Sequence, residues 1–299
     1  GVPPGFQVRG RAERSGRGAD ERERGGRLPG LSGVQYDRSF LGNAGQKGQW
    51  RTPPFKALLR QWWRVVVAKD IGYEKNTELT KSLLEKENLL FGRATQEGAS
   101  RSQVLIRLSG WEMGKARSDD FNGAEKVGHP EVNSKMDPLL YMGYGPLIYE
   151  RNDGLKLKSE LAIKPDDERR VWTVRGGDEN IKEALCLAHI FGALGGRSRN
   201  GWGSLALEPN EAIESWPDIS ALFDPRKKEG RDQLRGYARD WKKALDLDWR
   251  HAIGSDENGL LVWRTKNPSK TWKETMRELA EIKIKYRTQF HFKGGGPHS

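Results

Sequence analysis

Hydrophobic positions are spread unevenly along this chain, and their spacing divides it into stretches of different kinds. The opening residues hold very few apolar side chains, as in the run RGRAERSGRGADERERGGRLPG. A segment with so little to bury cannot offset the entropy of ordering itself, so residues 1–32 are expected to form a disordered Gly/Arg-rich tail. Val34 to Leu41 reads as a short strand, followed by the loop GNAGQKGQ. In PPFKALLRQWWRVVVAKD the period changes: Phe55, Leu58, Leu59, Trp62, Trp63, Val66 and Val67 recur as one apolar helix face, and Pro53 and Pro54 suit its first turn. That spacing assigns Trp62 and Trp63 to the core rather than to a stacking surface. Lys56, Arg60 and Arg64 fall four residues apart on another face and form a basic stripe.

A weaker helix over Leu79 to Leu90 ends at Phe91-Gly92, and SQVLIRLSGW reads as a strand. Residues 112–138 are polar and Gly-rich, as an insertion or loop would be. A second strand–helix–strand passage follows in LKSELAIKP, IKEALCLAHIFGALGG and WGSLALEP, with Ile181, Ala184, Leu185, Ala188 and Phe191 on the inner face of its helix. From about residue 211 the chain reads mainly as amphipathic helices. RDQLRGYARDWKKAL places Leu234, Tyr237, Ala238 and Trp241 opposite Arg231, Arg235 and Arg239, and WKETMRELAEIKIKYRTQF makes a final helix. No repeat of solenoid period occurs. The fold class is α+β, with alternating strands and helices and then a helical C-terminal region.

Composition narrows the partners. The 299 residues carry 52 Lys and Arg against 41 Asp and Glu, a net charge of +11, which favours a polyanion. No run approaches the ~20 apolar residues of a membrane-spanning helix. The N-terminus lacks the apolar core of a signal peptide. Cys186 stands alone, without an intrachain disulfide partner, and suits a reducing cytoplasm as a buried thiol. A cytoplasmic, non-membrane protein whose partner is nucleic acid is the expectation.

The sharpest local signal is FGALGGRSRNGWGSLAL. A helix runs into Gly195-Gly196, Arg197 and Arg199 flank Ser198, and Gly201-Trp202-Gly203-Ser204 leads into a strand. Closely spaced glycines let backbone amides approach phosphate oxygens, and the two guanidinium forks match phosphate geometry. Trp202 offers a face for a base, with core packing an even alternative. A plain reading stands beside this one: a glycine pair after a helix is an ordinary cap, and a Gly-rich turn before a strand is an ordinary connection. A dinucleotide fingerprint does not fit, because that motif follows a strand and opens a helix. No GxxxxGK[ST] loop is present.

A helix ending in Gly-Gly-Arg-Ser-Arg, then Gly-aromatic-Gly-Ser and a strand, resembles the glycine-rich loop of the RAMP superfamily of CRISPR-associated proteins. The spacing GGRSRNGWGSL is most similar to the first subunit of type III-B Cmr effector complexes. KALLRQWWR, LLFGRATQ with SQVLIRLSGW, and YMGYGPL at 141–147 are further similarities in the same order, together spanning about residues 40–208. The resemblance implies tandem ferredoxin-like (RRM-like) RAMP domains. On this chain they would be a first half over 33–150 and a second over 151–210 with the glycine-rich loop, followed by a helical region over 211–299. It also implies a subunit that holds guide RNA and engages target RNA beside other RAMP subunits. The RNA-contacting candidates carried over are Lys56, Arg60, Arg64, Gly195, Gly196, Arg197, Ser198, Arg199 and Gly201, with Trp202 as the stacking candidate. Two departures stand out: no clear hydrophobic first strand precedes residue 34, and Asn200 occupies a place often basic in the family.

Catalysis remains an alternative, since RAMP relatives include metal-independent ribonucleases. RNA cleavage by 2′-hydroxyl attack needs a general base and acid with a cation on the developing charge. Of His129, His189, His251, His291 and His298, none neighbours an acid/base constellation in sequence, and His189 lies close to an apolar helix face. Asp119-Asp120 and Asp137 lie in the polar insertion, where solvated surface is the commoner role. One cysteine, with no HExxH, gives no zinc site, so no metal and no cofactor is expected. A general basic RNA-binding module outside CRISPR is the remaining alternative.

Overall fold

The computed structural model describes residues 27–35, 38–43, 45, 47–71, 77–95, 98–159, 161–164, 170–209, 228–245, 253–263, 265, 267 and 269–289. In chain order its elements begin with β1 (Arg27–Gln35), α1 (Thr52–Ile71), α2 (Thr77–Phe91), β2 (Arg93–Thr95), β3 (Gly98–Ser100) and β4 (Leu105–Leu108). The hairpin β5 (Val127–His129) and β6 (Val132–Met136), the short helix α3 (Pro138–Gly143) and the hairpin β7 (Leu147–Glu150) and β8 (Gly154–Leu157) follow. Then come β9 (Arg170–Arg175), α4 (Asn180–Phe191) and β10 (Leu205–Pro209). Helices over Lys228–Tyr237 and Trp241–Leu245, small strands at Ala238–Asp240, Ile253–Asp256 and Gly259–Leu260, and a last helix over Trp272–Gln289 complete the described chain.

One antiparallel sheet in the order β10-β1-β9-β4 stands at the centre. Val34 pairs with Ala206, Leu31 with Trp172 and Ile106 with Val174. In β4 the period of two is plain: Leu108 is buried while Leu105 and Arg107 are exposed. α1 packs on α4, and both join Leu108, Val174, Leu205 and Leu207 in one core. The helical spacing of Phe55, Leu58, Leu59, Trp62, Trp63 and Val66 is what delivers them there, all buried. The indole N–H of Trp63 meets the Asp178 carboxylate at 3.1 Å, which satisfies the one polar atom that this ring buries. Trp62 stacks on Phe191 at 5.8 Å between centroids.

A second core lies beside the first. Ala116, Phe121, Val127, Leu139, Met142, Leu147, Leu155 and Leu157 gather around Trp202, closed by Met276, Ala280 and Ile284 of the last helix. Residues 112–138, expected as a polar insertion or loop, thus carry a hairpin, a single helical turn and core side chains. Their apolar residues are too sparse to show a period, and they become a core only with α3, β7, β8 and the last helix against them.

Three further expectations are revised. The first strand runs Arg27–Gln35 rather than Val34–Leu41, so it begins inside the stretch expected to be tail; Ser39 and Phe40 make only isolated bridges, to Ile163 and Gly196. One sheet joins β1 and β4 to β9 and β10. The strand read into LKSELAIKP is reduced to bridges at Ala162 and Ile163, and β9 enters the sheet instead. RDQLRGYARDWKKAL is broken after Tyr237 by a short strand, leaving Trp241 42% exposed, off the apolar face assigned to it. Residues 1–26 and 210–227 of the expected tail and helical region lie outside the described residues. Among the described residues no helix is long and apolar enough to cross a membrane.

Candidate nucleic-acid interface

The glycine-rich loop bridges the two cores, and its conformation follows from that position. α4 ends at Phe191, and Leu194 and Leu205 anchor the loop ends in the first core. Trp202, between them, is fully buried in the second, against Phe40 at 4.9 Å and Phe121 and Trp272 at 5.9 Å. Its expectation as a base-stacking face is therefore corrected. The ring anchors the loop, because the insertion and the last helix supply an apolar pocket that local sequence does not reveal.

The segment Arg38–Leu41 clamps the loop from below. Ser39 Oγ donates to the Leu194 carbonyl at 2.5 Å, Gly196 N–H donates to the Phe40 carbonyl at 3.1 Å, and Gly203 N–H donates to that of Arg38 at 3.1 Å. Gly201 N–H turns inward too, to the Ser198 carbonyl at 3.1 Å. The amides of Gly196 and Gly201 are thus used within the protein. These glycines shape the loop. At Gly201, φ is +86° and a Cβ would stand 2.6 Å from Leu279 Cδ1, so only glycine lets the last helix pack this close without strain.

What the loop presents outward is charge. Arg197 has φ 60°, the one positive value outside glycine among the described residues, and is exposed. A left-handed backbone at a non-glycine residue costs about 1–2 kcal/mol and persists only where its surroundings impose it. The Arg197 guanidinium lies over Gly145, where a Cβ would come within 2.8 Å of Nη2. Gly145 sits in the turn between α3 and β7, and the neighbouring Tyr144 is 68% exposed. Arg199 is exposed as well, and Ser198 is half-buried. Among the described residues neither arginine has an ion-pair partner. A cleft of about 330 Å³ opens at Gly145, lined also by Phe40, Gly42, Asn43, Pro146 and Lys158 among others.

Asn200 replaces charge with a bridge. Its Nδ2 donates to the Met142 carbonyl at 2.8 Å and its Oδ1 accepts from Lys283 Nζ at 2.8 Å, which ties the loop to α3 and to the last helix. Lys283 also lies 5.5 Å from the centroid of Tyr141. Burial, then the nearby charges of Arg287 and Arg197, hold its pKa below the ordinary lysine value. Nothing in the sequence marked Lys283 or Arg287, which lie more than eighty residues from the loop.

The basic stripe on α1 behaves differently. Arg60 pairs with Glu87 of α2, and Arg64 reaches the same carboxylate at 2.5 Å; Glu87 is only 1% exposed. Lys56 Nζ donates to the Phe91 carbonyl at 2.9 Å, and burial followed by the Arg60 charge lowers its pKa. These cations edge a groove of about 400 Å³ with Pro53, Ala57 and Gln61. They face outward as the spacing predicts, yet their bonds hold α2 to α1.

The acidic and histidine candidates are also engaged. Asp137 caps α3, accepting from the N–H groups of Leu139 and Leu140 at 2.8 and 3.2 Å. Although burial raises the pKa of Asp120, the Arg117 N–H and the Arg38 guanidinium hold it below the usual carboxylate value. His189 Nδ1 accepts from Leu207 N–H at 2.9 Å, joining α4 to β10. His251, His291 and His298 lie outside the described residues. Among the described residues no three His, Cys, Asp or Glu side chains gather where they could hold a metal ion.

A family model, the RAMP superfamily, matches residues 54–206, from the start of α1 through the loop into β10. No curated protein matches. Among solved structures the chain is similar to Cmr1 from Pyrococcus furiosus in its apo form, at 15% identity and a TM-score of 0.44, over 89% of this chain and 78% of that one. It is similar to a chain of a type IV-B CRISPR complex at 14% identity and a TM-score of 0.33, over 73% and 99%. A type III-B Cmr-beta complex bound to cognate target RNA contains a further similar chain, at 12% identity and a TM-score of 0.38, over 85% and 73%.

Proposed function

The chain belongs to the RAMP superfamily, and from that premise we propose that it is an RNA-binding subunit of a type III CRISPR effector ribonucleoprotein, holding guide RNA, target RNA or both beside other RAMP subunits. The observation that carries this reading is the loop itself: two exposed arginines without ion-pair partners among the described residues, one in a left-handed conformation, on a scaffold anchored in both cores. Such a loop suits phosphate oxygens, and holding phosphates does not depend on base sequence. Specificity then comes from pairing between guide and target. The strand order β10-β1-β9-β4, with α1 between β1 and β4 and α4 between β9 and β10, supports a single ferredoxin-like unit elaborated by the second core. The setting is cytoplasmic.

The role is binding, not cleavage. Asp120, Asp137 and His189 are held in the bonds that build the fold, and among the described residues no base and acid converge beside Arg197. The test is RNA binding and cleavage in the presence of partner RAMP subunits, over a salt series, for the wild type and for Arg197→Ala with Arg199→Ala. The double variant is expected to bind about tenfold or more weakly, with a salt slope lowered by about 0.7 for each lost contact to single-stranded RNA. Unchanged binding would make the loop structural, and cleavage by the wild type alone would make the protein an endoribonuclease.

A further inference from the structure

The last helix does more than close the second core. Its buried side is Met276, Ala280 and Ile284. Lys283 and Arg287, one turn apart, share a different face, as positions four residues apart on a helix do. Lys283 is fixed on the loop by its 2.8 Å bond to Asn200, three residues from Arg197. Among the described residues no carboxylate pairs with Lys283, Arg287 or Arg197, and the charges that act on Lys283 are those two arginines. Three cations brought together without a counter-ion repel one another, and an anion placed among them removes that cost. The partial burial of Lys283 strengthens whatever charge partner it gains.

We propose that Lys283 and Arg287, together with Arg197, form an anion site that takes a phosphodiester of single-stranded RNA as the strand leaves the glycine-rich loop. The inference rests on the RNA-binding reading of that loop and extends it: the last helix is a wall of the RNA path, and Asn200 sets the position of its first cation. Tyr141 and the exposed Tyr144 border the same path.

The test uses the full chain and a fluorescently labelled oligouridylate, with affinity measured by anisotropy across a salt series for Arg287→Ala, for Lys283→Ala with Arg287→Ala, and for Arg197→Ala with Arg199→Ala. The site takes one phosphodiester, so its loss in the Lys283/Arg287 double variant is expected to lower the salt slope by about 0.7 and to weaken binding roughly fivefold. Arg287→Ala removes no hydrogen bond within the described structure, so its melting temperature should match that of the wild type while its slope falls. If both last-helix variants keep the wild-type slope while the loop variant loses it, this inference is overturned and the RNA-binding reading stands. A weaker affinity with an unchanged slope would assign Lys283 a structural role and would also overturn it. If none of the three variants changes the slope, both readings fall.

Discussion

Two basic regions of this molecule look alike in sequence and do different work in the fold. On α1, Arg60 and Arg64 converge on the buried Glu87 and Lys56 binds the end of α2, so the positive charge is consumed in joining two helices. At the glycine-rich loop, Arg197 and Arg199 have no ion-pair partner among the described residues, and Lys283 and Arg287 come to them from the last helix. A buried carboxylate needs its cations, since an uncompensated charge in the interior is expensive. An exposed cluster of like charges is a cost to the protein alone and a gain to a polyanion. Count and spacing of arginines therefore do not separate charge spent on joining helices from charge left to solvent; the presence of an internal anion does.

Breaking each region should separate the two roles, and the largest effects concern anchoring. Trp202→Ala empties the centre of the second core and is expected to cost about 3–5 kcal/mol, as for other large aromatic deletions, read as a fall in the denaturant midpoint. Glu87→Ala leaves two arginines without their shared carboxylate. A loss of about 2–4 kcal/mol is expected, the range for breaking a buried pair reduced for the partial exposure of both arginines. RNA affinity, measured under conditions where the Glu87 variant stays folded, should change little. Tyr144→Ala sharpens the loop side: if the exposed ring stacks on a base, affinity falls by about 1 kcal/mol with no change in salt slope, since stacking releases no counter-ions.

The smallest effect is chemical. Burial, then the charge of Glu183, pushes the Cys186 thiol up to about 12 from its ordinary 9.0. Because the folded state keeps this proton more tightly than the unfolded state, its contribution to stability is intact below the ordinary thiol value and is lost as pH rises toward 12. Alkylation of the folded protein near neutral pH should be negligible, and should become rapid only in denaturant.

Much of the first core was legible in the sequence. The apolar face of α1 repeats at helical spacing over three turns, and Ile181, Ala184, Leu185 and Ala188 repeat likewise on α4, so burial follows from period alone. The loop's turn was legible for the same kind of reason: closely spaced glycines between a helix and a strand mark a turn. Strand pairing was not, because β1 carries Gly30, Ser32 and Gly33 and shows no clean alternation. β9 did carry a signal, in the β-branched and aromatic run Val171-Trp172-Thr173-Val174, that the stronger strand-like look of LKSELAIKP hid. The inward turn of Trp202, the anion beneath the α1 stripe and the arrival of Lys283 all depend on residues far away in sequence. No local pattern encodes them.

One crossed comparison tests the central claim most directly: RNA affinity over a salt series and thermal stability, measured together for Arg197→Ala with Arg199→Ala and for Arg60→Ala with Arg64→Ala. The loop variant should lose affinity and salt slope while melting as the wild type does, and the α1 variant should melt earlier while keeping its slope. The opposite pattern, with the loop variant unstable but binding normally and the α1 variant stable but losing RNA, would contradict the account.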